Sequence, residues 1–139
     1  MEFTVGGHEY KSKKMDTFKQ FHTGRRLLPI LTSLKDVFMK LQAGSLPDND
    51  TMLQIAFVPF CNAMAQMTDE DSEYVLNACL DVTKIKHAGA WANVRISGHT
   101  MFEFIDLSAL LQIAFYILQD NFAHFLLGKP ETATQATPA

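Results

Sequence analysis

The stretch MFEFIDLSALLQIAFYILQDNFAHFLLG, residues 101–128, is the most apolar part of the chain, and what it packs against decides the fold. From Leu107 to Leu127 it has fifteen apolar residues in twenty-one, but no uninterrupted apolar run longer than the six residues from Ile113 to Leu118. A transmembrane helix needs about twenty predominantly apolar residues, and an aspartate at its centre costs about 2.5–3.5 kcal/mol. Because Asp120 interrupts the stretch, the sequence argues against a membrane span.

The same residues predict a helix that is apolar on most of its circumference. One stripe advances in steps of three and four, the spacing of a single helix face. This stripe contains Leu107, Leu110, Leu111, Ala114, Leu118 and Phe122. Further apolar residues such as Ile113 and Ile117 lie off it. Such a helix is either central to its domain or covered by a second molecule. The sequence favours the central position for the helix and leaves the second possibility open for its aromatic end.

Five residues are predicted to contact another protein. Phe122, Phe125 and Leu126 crowd the last turns of the helix, just before a polar tail, and a terminal cluster of that size is typical of a contact patch. Phe115, like Phe125, lies near the edge of the apolar stripe. Trp91, between HAGA and NVR, either anchors a loop to the core or marks an interface.

Two short segments predict β-hairpins. EFTVGGHEYKSK, residues 2–13, has two short runs separated by a Gly-Gly pair, which is a turn signal. HAGAWANVRISGHTMF, residues 87–102, breaks the helical period and indicates a second small hairpin around Ser97 and Gly98.

Helices are predicted over most of the remaining sequence. Pro29 must disrupt the first of them, giving either one kinked helix or two short ones, because proline lacks a backbone N–H and crowds the carbonyl four residues earlier. Polar residues that precede apolar periodic segments predict the caps. The predicted helices run from Asp16 to near Gln42 with a kink or break at Pro29, from about Asp50 to Met67 with a bend or break at Pro59, from Thr68 to Val82, and from Asp106 to Gly128.

The fold class that follows is mainly α. We expect a single helical domain, residues 1–128, with small N-terminal and internal β-hairpins. GKPETATQATPA, which ends the chain, has nothing to bury, so residues 129–139 are predicted to form a flexible, disordered tail.

No catalytic or metal-binding pattern emerges. The five histidines include no pair with the i, i+4 spacing of a helical zinc site, and neither cysteine belongs to a C-x-x-C pair. Cys61 and Cys79 lie in apolar helical patterns, which predicts reduced core residues. The acidic run Asp69–Asp71 is best explained as a helix N-terminus. The sequence therefore predicts a protein that binds and is not an enzyme, with no catalytic residues, cofactor or metal.

Charge is distributed unevenly along the chain. The net charge of −3 divides into +4 up to Lys40 and −7 from Leu41 onward. KSKK and the Arg25-Arg26 pair form a local basic patch, but the acidic remainder would repel phosphates, so no nucleic-acid partner is predicted. The asymmetry favours either contact between copies or two differently solvated faces of one monomer. No secretory signal is visible, and a cytoplasmic location is expected.

Four segments taken in order resemble the tail assembly chaperones of long-tailed bacteriophages. They are MDTFKQFHTGRRLLPILTSL (15–34), MTDEDSEYVLNACLDVTKI (67–85), WANV (91–94) and GHTMFEFIDLSALLQIAFYILQDNFAHFL (98–126). The resemblance covers about residues 2–127, leaving the tail outside it. The motifs are largely structural and each is weakly specific alone, and the collinear order carries the resemblance.

The resemblance implies a non-enzymatic chaperone of phage tail morphogenesis. Its client would be the tape measure protein, kept soluble until tail tube subunits polymerise around it. It further implies self-association, a possible frameshifted long form that recruits the tail tube protein, residence in the bacterial host cytoplasm, and absence from the mature virion. The alternative is a structural virion protein, such as a small tail or head-completion subunit.

Overall fold

The apolar stretch forms a central helix. The computed structural model describes residues 1–43, 57–96, 99–100 and 102–126, and its longest element is this helix, Leu107–Leu126 (α5). The side chains of its middle are buried on both sides of the predicted stripe: Ile113, Ala114, Phe115, Ile117 and Leu118. Only the ends are exposed, with Leu107 at 71%. The predicted central position is therefore confirmed, and it explains why the helix is apolar on most sides.

The predicted N-terminal hairpin is confirmed. Its strands are Glu2–Val5 (β1) and His8–Ser12 (β2). The two turn residues have positive φ, 59° at Gly6 and 81° at Gly7, the backbone of a type I′ turn. Glycine adopts this conformation without steric cost, which is why the Gly-Gly pair was informative.

The sheet is larger than the sequence predicted. Two further strands, Thr83–His87 (β3) and Ala90–Asn93 (β4), extend the hairpin into a four-stranded antiparallel sheet in the order β1-β2-β3-β4. The expectation of only small separate hairpins is wrong for this part of the fold. The turn between β3 and β4 has positive φ at Ala88 (53°) and Gly89 (82°), so an Ala-Gly pair serves where Asn-Gly is the usual signal.

The predicted internal hairpin also exists, after β4. Its strands are only two residues each, Arg95–Ile96 (β5) and His99–Thr100 (β6), paired antiparallel. The fold is mainly α with one sizeable sheet and this small hairpin.

Pro29 divides the first predicted helix as expected. Helix α1 spans Thr17–Arg26, a short 3₁₀ turn follows at Leu28–Ile30, and α2 spans Leu31–Ala43. Asp16 caps α1, its carboxylate accepting the Lys19 backbone N–H at 2.8 Å.

Two further helices among the described residues precede the strand β3. Helix α3 spans Val58–Met64 with Pro59 in its first turn, and the predicted start near Asp50 lies outside the described residues. Helix α4 spans Asp69–Asp81, and the Thr68 hydroxyl caps it by accepting the Asp71 N–H at 3.1 Å. Both cysteines are free, with Cys79 buried on α4 and Cys61 half-buried on α3, in line with the prediction of reduced core residues.

The sheet and the helices share one apolar core around α5. Phe115 packs between α2 and α3, with its ring centroid 5.3 Å from that of Phe60 and 6.5 Å from that of Phe38. On the sheet side, Tyr116 stacks on Phe3 at 4.8 Å. The predicted helix end at Gly128 and the predicted tail, residues 129–139, lie outside the described residues.

Candidate protein-binding groove

An apolar groove lies on the surface between α1, the 3₁₀ turn and the C-terminal end of α5. Its volume is about 440 Å³, within the range of about 300–1,000 Å³ that is usual for ligand pockets. We call it the α1–α5 groove. Its lining residues are Thr17, Gln20, Phe21, Gly24, Arg25, Leu27, Leu28, Leu31, Asn121, Phe122, Phe125 and Leu126.

Large apolar side chains stand exposed on both walls of the groove. Phe21 and Leu28 on the α1 side are each 61% exposed, and Phe125 on the α5 side is 72% exposed. Phe18, one turn before Phe21, is 76% exposed. Single exposed apolar residues are ordinary, but a contiguous group of this size is typical of a protein-contact surface.

The periodicity of α1 explains how its residues reach the groove. Phe21 and Gly24 are three residues apart on one face of α1, and Leu28, in the 3₁₀ turn after α1, also lines the groove. The side chain of Leu27 points the other way into the core, where it is 1% exposed. The side chains of Leu27 and Leu28 therefore point to opposite sides of the segment, one into the core and one into the groove.

Asn121 holds the two walls together at the polar end of the groove. Its Oδ1 accepts the Met15 backbone N–H and the Gln20 side-chain N–H, each at 3.0 Å, and its Nδ2 donates to the Ile117 carbonyl at 2.9 Å. Nearby, Lys14 pairs with Asp120 at 3.5 Å. These bonds set the distance between the start of α1 and the last turns of α5.

The floor of the groove is formed by Gly24 and Phe122. Phe122 is 7% exposed, and its Cε1 lies 3.4 Å from where a Cβ on Gly24 would stand. A Cβ on Gly24 would stand at van der Waals distance from the Phe122 ring, so α1 packs closely on this ring. The floor is therefore apolar, and the walls carry the exposed residues.

The two adjacent arginines of α1 have different surroundings. Arg26 lies 3.6 Å from the Asp71 carboxylate, and its guanidinium is 3.8 Å from the centroid of the Tyr74 ring, so it joins α1 to α4. Arg25 is exposed on the groove wall and forms no ion pair with the described residues. Of the two arginines, Arg26 therefore has a structural role, whereas Arg25 is available to contact a partner.

Three of the five predicted contact residues come together in the groove. Phe122 forms the floor, Phe125 is on the wall, and Leu126 is half-buried in the lining. Phe115 is instead 2% exposed and lies in the core against α2 and α3, where it has almost no surface to offer a partner. Trp91 does not line the groove.

Trp91 lies on the outer face of the sheet. It is on β4, cross-strand from the exposed Lys86, while the neighbouring pair Ile85 and Ala92 faces the core. The Lys11 ammonium is 4.6 Å from its ring centroid, a cation–π distance. The prediction that Trp91 anchors a loop to the core does not agree with the structure, because Trp91 is in a strand and lies on the outer face of the sheet. Its interface role stays a prediction.

Sequence reasoning missed the α1 wall of the groove. Phe21 and Leu28 fall within the helical segment predicted from Asp16 to near Gln42, and that prediction does not distinguish its inward and outward faces. Their spacing of two turns, with a glycine between them, was the available signal. This spacing alone does not reveal that α5 lies beside α1.

The described residues show no arrangement suited to metal binding, and their thiols are not activated. They contain no group of three or more His, Cys, Asp or Glu side chains placed to hold a metal ion. Burial raises the pKa of the Cys79 thiol far above its ordinary value and also raises the pKa of the Cys61 thiol. A raised pKa disfavours the thiolate, which is the nucleophilic form. None of the described helices, including the twenty-residue α5, is both long enough and apolar enough to cross a membrane.

Comparison with known proteins gives one family. A family model described as "Phage tail assembly chaperone protein, TAC" matches residues 6–134. No curated protein and no solved structure gives a significant match to this chain.

Proposed function

Because the chain belongs to the phage tail assembly chaperone family, we propose that it works by covering exposed apolar helices of a tail protein with its α1–α5 groove. The observation that carries this proposal is the groove itself, whose walls expose Phe21, Leu28 and Phe125. A chaperone must offer apolar surface that is available before its client arrives, and these side chains are available in the folded chain.

The energetics of the groove suit a reversible holding function. Complete burial of a Phe or Leu side chain contributes about 1.5–3 kcal/mol, so three partly exposed residues supply only several kcal/mol before the cost of association is subtracted. One groove alone therefore binds weakly. Many copies on one long client would bind it firmly and still leave one at a time, as assembly requires.

We further propose that the client is the tape measure protein. A long helical protein that waits for its surrounding tube exposes apolar faces that would otherwise aggregate. Binding of tail tube protein through a longer form, self-association, action in the host cytoplasm and absence from the finished virion belong to the same proposal. In this scheme the chain does not act as an enzyme.

The groove is tested by co-expression with the tape measure protein. Phe21→Ser with Phe125→Ser removes apolar surface from both walls without touching the buried Phe122. We expect the soluble fraction of the client to fall several-fold. Leu107→Ser is the matched control, because Leu107 is 71% exposed but lies at the other end of α5, outside the groove.

Two outcomes would contradict the proposal. One is an unchanged soluble client yield from the double variant, with its circular dichroism and unfolding midpoint unchanged. The other is an equal loss caused by Leu107→Ser, which would mean that the groove has no special role. Mass spectrometry of purified virions tests the departure step, and detection of this chain in stoichiometric amounts would favour a structural virion protein.

A further inference from the structure

Arg25 is the one charged residue among those that line the α1–α5 groove in the described part of the chain. The polar groups beside it are already engaged, since Gln20 and Asn121 bond to each other at 3.0 Å. Arg26, its neighbour, is held by Asp71 and Tyr74 on α4. Arg25 therefore combines a full positive charge, exposure and an apolar setting, with no described carboxylate paired to it.

The walls of the groove favour a helix as its occupant. One wall is the face of α1 that carries Thr17, Phe21 and Gly24, and the other is the face of α5 that carries Phe122 and Phe125, so both have helical steps of three and four residues. Such ridges and grooves fit the side chains of a third helix. An extended segment that binds by adding a strand would need a strand edge, and the groove lining contains no strand residue.

We propose that the groove selects amphipathic helices that carry an acidic residue beside their apolar stripe, and that Arg25 reads that charge. This inference rests on the proposed function and adds the chemistry of the client segment to it. When an apolar helix face fills the groove, water leaves the surroundings of Arg25, and its attraction to a carboxylate strengthens in the less polar environment. A lysine at the same place on the client would be repelled.

The experiment uses three synthetic helical peptides with one leucine stripe. They differ only in the residues that flank the stripe, which are glutamate, glutamine or lysine. Fluorescence anisotropy measures their binding to the full chain, to Arg25→Glu, to Arg25→Gln and to the control Lys35→Glu. Lys35 is exposed on α2 and does not line the groove, so this control changes the net charge equally.

The expected result is a reversal of preference. The full chain and Lys35→Glu should bind the glutamate peptide about 5-fold more tightly than the lysine peptide at low salt, the ratio expected from about 1 kcal/mol for an exposed ion pair. Arg25→Glu should prefer the lysine peptide, Arg25→Gln should show no preference, and 0.5 M salt should shrink all the differences.

Equal binding of the three peptides by the full chain would overturn the inference and leave the groove function standing. So would a preference that Lys35→Glu reverses as well as Arg25→Glu. If no peptide binds while the tape measure protein is still kept soluble, the groove does not take helices, and the inference is again wrong. If no peptide binds and the client also aggregates, the proposed function itself fails.

Discussion

Replacing Asn121 with alanine should reveal whether the contact between α1 and α5 depends on one side chain. Asn121 is the only residue in the described groove lining whose side chain hydrogen-bonds to two segments of the chain at once, the start of α1 and α5 itself. The substitution removes its amide and keeps the helix, since alanine is the best helix former.

The expected cost follows from the groups left behind. Met15 is 4% exposed, so its backbone N–H loses its acceptor away from water, which costs about 1–3 kcal/mol. The Gln20 bond contributes a net of about 0.5–1.5 kcal/mol, since that amide can reach solvent in the variant. Against these losses, alanine gains up to about 0.7 kcal/mol in helix propensity. The free energy of unfolding should therefore fall by about 1–4 kcal/mol.

Urea unfolding followed by far-ultraviolet circular dichroism measures this change. With a slope of about 1–3 kcal/mol per molar urea, the midpoint should fall by about 1 M. Gln112→Ala is the matched control, because its side chain also bonds within α5, to Ser108 at 3.0 Å, but on the exposed side. It should change stability by less than about 0.5 kcal/mol. Equal effects of the two substitutions would refute the role given to Asn121.

Three further predictions concern other parts of the structure. Gly24→Ala should raise the free energy of unfolding by about 0.5–1 kcal/mol, because the helix loses a flexible residue and the new Cβ meets Phe122 at an ordinary 3.4 Å; a loss of stability would mean that the floor is tighter than described. Thr68→Ala should lower it by about 1 kcal/mol through loss of the α4 cap, measured by urea unfolding, whereas Thr32→Ala, on the exposed face of α2, should cost less than half as much. Stability should also fall as the pH rises above the ordinary thiol pKa of 9.0, since burial raises the pKa of Cys79 in the folded chain. The stabilisation from the buried, protonated Cys79 thiol is complete below the pKa that this thiol has in the unfolded chain. Above that pKa the free energy of unfolding falls by up to about 1.4 kcal/mol per pH unit. Cys79→Ala should remove this contribution to the pH dependence between pH 9 and 10.

Local signals in the sequence determined most of the helices and their limits. Asp16, Thr68 and Asp106 act within three residues of the helix they cap, and each does so in the structure. Pro29 breaks the helix through its own covalent geometry, and Gly6-Gly7 makes its turn through positive φ. Such features need no knowledge of distant residues, which is why they were predictable. The order of the motifs likewise sufficed to indicate the family.

Long-range pairing was beyond the sequence. The four-stranded sheet requires β2 to pair with β3, which lies about seventy residues later in the chain, with Tyr10 opposite Ile85. The residues around either strand do not indicate which strand will pair with it. β3 itself directly follows the helix α4, and its Ala-Gly turn is a weaker signal than Asn-Gly.

By itself, then, the sequence determined the helices, the first hairpin and the aromatic end of α5, because backbone chemistry and apolar periodicity act over a few residues. The tertiary structure decided which apolar residues are buried. It placed Phe115 in the core at 2% exposure and left Phe125 at 72%, although both lie near the edge of the same stripe. The difference arises because α2 and α3 cover one turn of the helix, whereas α1 covers its end only in part and leaves the groove open.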